Sequence, residues 1–122
     1  MALDWRTTAS RLGSAGQHAG VELSGLIMMT RPLPIRVGED VKIVWRMTGE
    51  GPIELSAIGS DGTRTALTWG PTAHGNVSNF DAPGDEWGAG YRFDSPGCWR
   101  LRARRTAGQA EALVFVAPDQ RG

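Results

Sequence analysis

One cysteine, one lysine, one tyrosine and two histidines among 122 residues leave little of what reactive chemistry is usually assembled from. With Cys98 alone, the chain can form no internal disulfide and no cysteine-based zinc or iron–sulfur site. Thirteen Lys and Arg balance thirteen Asp and Glu, so the formal net charge is zero. That balance removes the bulk attraction on which nucleic-acid and anionic-membrane binders rely. No segment approaches the roughly 20 consecutive apolar residues of a transmembrane helix. The first twenty residues also lack the apolar stretch of a secretory signal, so the expectation from these residues is either a cytoplasmic protein or one whose leader is missing ahead of Met1. Gly-rich phosphate loops, H-E-x-x-H, G-x-S-x-G and tandem Cys-x-x-Cys motifs are all missing from the sequence.

What is present is ordinary for a folded chain: 40% hydrophobic and 21% charged residues, a length that supports one core, and seventeen glycines with seven prolines. The glycine and proline content points to a turn-rich, all-β protein. Val41, Ile43, Trp45 and Met47 alternate with Lys42, Val44, Arg46 and Thr48, the period of two that buries one face of a strand. Pro32, Pro34 and Gly38-Glu39-Asp40 separate this strand from an earlier one expected over Val21 to Thr30. Ile53, Leu55 and Ala57 alternate with Glu54 and Ser56, and Ser60-Asp61-Gly62 can turn the chain back into Thr63 to Trp69 as a hairpin. Gly70 to Gly90 reads as a long loop with at most one short strand. Tyr91 and Phe93, then Trp99, Leu101 and Ala103, alternate with Arg92, Arg100, Arg102 and Arg104. A turn at Thr106-Ala107-Gly108-Gln109 leads into Ala110 to Ala117, a second hairpin. Seven or eight short strands of this kind predict a β-sandwich or small barrel.

The runs V-G-E-D-V-K-I-V-W from Val37, Y-R-F-D-S-P-G-C-W-R-L from Tyr91 and E-A-L-V-F-V from Glu111 cover about two thirds of the chain together with the segments between them. Over this span the sequence resembles an immunoglobulin-like domain of uncharacterised bacterial exported proteins and lipoproteins. The resemblance implies an exported β-sandwich, extracellular or attached to the cell envelope, with its leader absent from this chain. It carries no catalytic residues to any position. The chain departs from an antibody-type domain in having no second cysteine to pair with Cys98, so packing must replace the inter-sheet disulfide.

Several residue groups are candidates for chemistry. Cys98 follows a Pro-Gly turn, but no base adjoins it, and His18 and His74 are distant in sequence. A blue-copper site needs a His and a Met just after such a cysteine, and neither follows. Asp81, Asp85, Glu86 and Asp94 fall in one glycine-rich segment and are candidate Ca²⁺ ligands, though their spacing matches no EF-hand and the ordinary reading is solvated loop charges. Trp45 and Trp99 fit buried strand positions. Trp69, Trp87 and Tyr91 are the candidates for an exposed aromatic surface of the kind that stacks on sugars. Arg100, Arg102 and Arg104 share one strand face, followed by Arg105. Such a stripe can grip phosphate, a carboxylated polysaccharide or an acidic partner, or can simply solvate a sheet and block edge pairing. Asn76-Val77-Ser78 has the form of a glycosylation sequon.

The sequence therefore predicts an immunoglobulin-like sandwich over residues 21–118, with an irregular arm at 1–20 and a tail at 119–122. The expected function is a non-catalytic interaction domain binding protein or carbohydrate through the Gly70 to Gly90 region, without a required cofactor. Two alternatives stand beside it. One is a structural subunit or homo-oligomer in which the arm or Val21 to Met29 adds to a neighbour's sheet. The other is a hydrolase using His74 and the Asp81 to Asp94 acids.

Overall fold

The computed structural model describes residues 11–12, 21–28, 33–73, 84–106 and 108–118. Among them every regular element is a strand. Two five-stranded sheets face each other. The first holds β1 (Arg11–Leu12), β2 (Leu23–Met28), β4 (Val41–Met47), β8 (Asp85–Tyr91) and β7 (Trp69–Ala73), in the order β1-β2-β4-β8-β7. The second holds β3 (Ile35–Arg36), β10 (Gly108–Ala117), β9 (Gly97–Arg105), β5 (Glu54–Ile58) and β6 (Arg64–Thr65), in the order β3-β10-β9-β5-β6. Every pairing is antiparallel except β3 with β10. Seven strands have five residues or more, and the other three have two each. The protein is an all-β sandwich.

The period of two decides what lies between the sheets. Val41, Ile43, Trp45 and Met47 of β4 face Trp99, Leu101 and Ala103 of β9 and Ala110, Ala112, Val114 and Val116 of β10 in one buried cluster. Trp45 and Trp99 are both fully buried, at 0% exposure. A chain of aromatic contacts joins the layers where a disulfide would otherwise do so. The Trp45 Nε1–H donates to the Tyr91 hydroxyl at 2.9 Å. Tyr91 stacks on Phe93 with centroids 5.8 Å apart, and Phe93 meets Trp99 at 5.1 Å. The Trp99 indole closes the chain by donating to the Ser95 carbonyl at 2.9 Å. Burial holds the Tyr91 phenol far above its ordinary pKa near 10.

Arg105 clamps the far end of the sandwich. Its guanidinium donates to the Met47 carbonyl and, through Nε, to that of Gly51, both at 2.9 Å. It also pairs with Asp85 at 2.9 Å and lies 4.7 Å over the Trp87 ring. A cation at the end of β9 is thereby tied to β4 and β8 of the other sheet.

Three expectations change. Gly70 to Gly90 is not one long loop, because it carries most of β7 and β8; residues 74–83 lie outside the described residues. The return strand of the first hairpin stops at Thr65, and Trp69 belongs to the other sheet. The segment Val21 to Met29 is not free for strand addition, since β2 is hydrogen-bonded to β1 on one side and β4 on the other. Apart from β1, the N-terminal arm lies outside the described residues, as does the tail from residue 119.

Candidate functional site

In β9 the side chains of Trp99, Leu101 and Ala103 enter the core, so Arg100, Arg102 and Arg104 must leave it on the opposite, solvent-facing side. The neighbouring strands set their surroundings. Arg100 lies between Ile58 of β5 and Leu113 of β10, Arg102 between Ser56 and Glu111, and Arg104 between Glu54 and Gln109. Arg64 of β6 pairs with Ile58 and so extends the first of these rows. Four arginines thus share a face with two glutamates.

The acids do not neutralise it. Glu111 Oε2 accepts from Arg102 Nε at 2.9 Å and Nη2 at 2.8 Å, and stands 4.0 Å from Arg100. Glu54 Oε1 accepts from Arg104 Nε at 2.8 Å and from its Nη2. Arg64 has no acid in salt-bridge range among the described residues. Alternate residues of a strand are about 6.8 Å apart, so the three arginine side chains leave β9 as a ladder, the heads of Arg100 and Arg102 converging on Glu111 and that of Arg104 turning to Glu54. Glu54, Leu55, Ser56, Arg64, Arg102 and Arg104 line a groove of about 310 Å³ on this face. Beside the ladder, Leu113 and Phe115 project from β10 at 54% and 56% exposure, with Phe115 directly opposite Cys98. The face is therefore both cationic and apolar.

The three arginines expected to act together do share this face. Arg64, Glu54, Ser56 and Glu111 escaped the sequence reading. The alternation around Leu55 does place Glu54 and Ser56 outward, but only the pairing of β5 with β9 brings them to the arginines.

The aromatic trio does not assemble. Tyr91 is at 0% exposure, its hydroxyl consumed by Trp45, so it presents nothing to a ligand. Trp87 points inward, packed against the core beneath Arg105. Trp69 lies on the outer side of the first sheet against Gly90, at 43% exposure and 6.0 Å from the Lys42 ammonium. Trp69 and Trp87 are thus separated by the sheet itself.

The acidic group is dispersed as well. Asp85 is engaged by Arg105, and Glu86 is buried on the opposite face 3.4 Å from Arg46 Nε. Asp94 is exposed beyond the other end of β8, and Asp81 lies outside the described residues. Among the described residues, no three His, Cys, Asp or Glu side chains gather as a metal site. His18, His74 and the Asn76 sequon lie outside the described residues. Cys98 is an exposed free thiol. Among the described residues no helix is long and apolar enough to cross a membrane.

Comparison with protein-family models, with curated proteins and with solved structures found no match to this chain.

Proposed function

We propose that the protein is a non-catalytic binding domain that takes an acidic peptide segment of a partner protein on the outer face of its second sheet. The observation that carries this reading is the gathering of Arg64, Arg100, Arg102 and Arg104 around Glu54 and Glu111 alone among the described residues, in a chain whose formal charge sums to zero. Guanidinium groups bind carboxylates through paired hydrogen bonds, and arginine and phenylalanine beside one another are the residue types enriched at protein interfaces. A polypeptide fits better than a sugar. Leu113 and Phe115 offer apolar contact beside the arginines, and the aromatic platform a sugar would need is split across two faces.

An immunoglobulin-like assignment belongs to the same proposal. The order β2-β4-β8-β7 against β10-β9-β5 supports it, being that of a seven-stranded immunoglobulin sandwich. Export to the cell envelope or exterior rests on the resemblance of the Val37, Tyr91 and Glu111 runs. The test is fluorescence anisotropy with a labelled peptide of alternating glutamate and valine. Reversing charge at Arg64 and Arg100 together should weaken binding by roughly a hundredfold, on the scale of about 1.4 kcal/mol per lost contact. Equal affinity for the double variant and the unaltered protein would refute the assignment.

A further inference from the structure

The groove on this face lies where β6 stops short, and the phase of the hydrogen bonds there is fixed. Gly59 N donates to Thr63 O at 2.7 Å, so the main-chain groups of Gly59 point towards β6. Main-chain direction alternates along a strand. Ala57 and Leu55 therefore point the same way, while Ile58, Ser56 and Glu54 point towards β9. Thr65 lies opposite Ala57, but among the described residues none is paired with Leu55 on that side. The chain has left by then: Leu67 packs into the core, and Thr68 N donates to Gly90 O of the other sheet at 2.9 Å. Among the described residues, the N–H and C=O of Leu55 have no strand partner. Because the Leu55 side chain packs against the core, it is the main chain of Leu55 that faces the groove.

Resting on the function proposed above, we infer that the acidic segment is bound as an added strand, occupying beside β5 the place that β6 vacates after Thr65. A main-chain pair to Leu55 supplies the backbone contact, which is how extended peptides are taken up at open sheet edges. Alternation then sorts the guest's side chains. The residue opposite Leu55 points towards the core side and is apolar. The residue opposite Ser56 points outward, where Arg102 shares its row and Arg64 stands one row along, and it carries the carboxylate. A groove of about 310 Å³ suits so short an insertion.

The experiment compares the glutamate–valine peptide with the same peptide carrying N-methyl groups on its valines, which keeps every charge and removes the main-chain pairing. Affinity is read by anisotropy, and exchange of the Leu55 amide by NMR. The added strand predicts roughly tenfold weaker binding of the methylated peptide, and roughly tenfold slower Leu55 exchange in the presence of the unmodified one. If both peptides bind alike and Leu55 exchange is unchanged, while charge reversal at Arg64 and Arg100 still weakens binding by roughly a hundredfold, strand addition is wrong and the cationic-face reading stands. If neither peptide binds, both fall. Binding of sodium polygalacturonate in place of either peptide overturns the peptide inference in favour of an acidic glycan.

Discussion

Replacing Tyr91 by Phe removes one oxygen from the centre of the sandwich, and its consequences can be worked out from the geometry. At neutral pH the variant loses the 2.9 Å bond from Trp45 Nε1 and leaves a buried N–H without an acceptor. An orphaned buried donor costs about 1–3 kcal/mol. Unfolding a chain of this length releases roughly 2.1 cal/mol/K per residue, so each kcal/mol lowers Tm by about 4 °C, and the expected fall is about 4–12 °C. A second effect has the opposite dependence on the hydroxyl. Burial raises the folded-state pKa of Tyr91 above its unfolded value near 10. The stability tied to this group is therefore intact below pH 10 and is lost as the pH rises further, because only the unfolded chain ionises there. By pH 11 the loss is about 1.4 kcal/mol relative to pH 8. Tyr91→Phe lacks this component, so its stability deficit relative to the unaltered protein should narrow by that amount between pH 8 and pH 11 in urea titrations. Tyr91 is the only tyrosine, so absorbance at alkaline pH reports this residue alone. Reversible tyrosinate formation near pH 10 in the folded protein would refute the buried pair.

Three further outcomes follow from packing and charge. A Cβ on Gly25 would stand 2.7 Å from Trp45 Cζ3 and 2.9 Å from Cε3, so Gly25→Ala should destabilise by about 1–3 kcal/mol in thermal unfolding. An unchanged Tm would mean that Trp45 does not lie flat on β2. Arg105→Met removes a cation bonded to two carbonyls between the sheets and should cost roughly 2–4 kcal/mol in urea melts. Arg104→Ala breaks only an exposed pair with Glu54, and the same melts should show a change of under about 1 kcal/mol; comparable losses for both arginines would contradict the division between clamp and surface.

The parts of the fold that follow from local alternation are legible in the sequence. Ile43 and Trp45, and Trp99 and Leu101, sit where a period of two puts them, and the arginines between them face out for the same reason. Around Tyr91 the sequence misleads, because Gly88 and Gly90 look like loop residues. They are strand residues without side chains on the face that carries Trp69, and a Cβ on Gly90 would collide with that indole. With them discounted, Trp87, Ala89 and Tyr91 keep the inward period, which buries Tyr91 rather than exposing it. The groove was not readable at all. Arg64 and Glu54 meet the β9 ladder only because β5 pairs with β9, strands some forty residues apart whose register is set by the packing of the two sheets rather than by any local pattern.

The central claim, that the outer face of the second sheet is the binding surface, is tested most directly by mapping amide chemical-shift changes while the unmodified glutamate–valine peptide is titrated in. The largest changes should fall at Leu55, Ser56, Arg64 and the alternate residues from Arg100 to Arg104. Changes confined to Trp69 and the β7–β8 edge of the first sheet would contradict it.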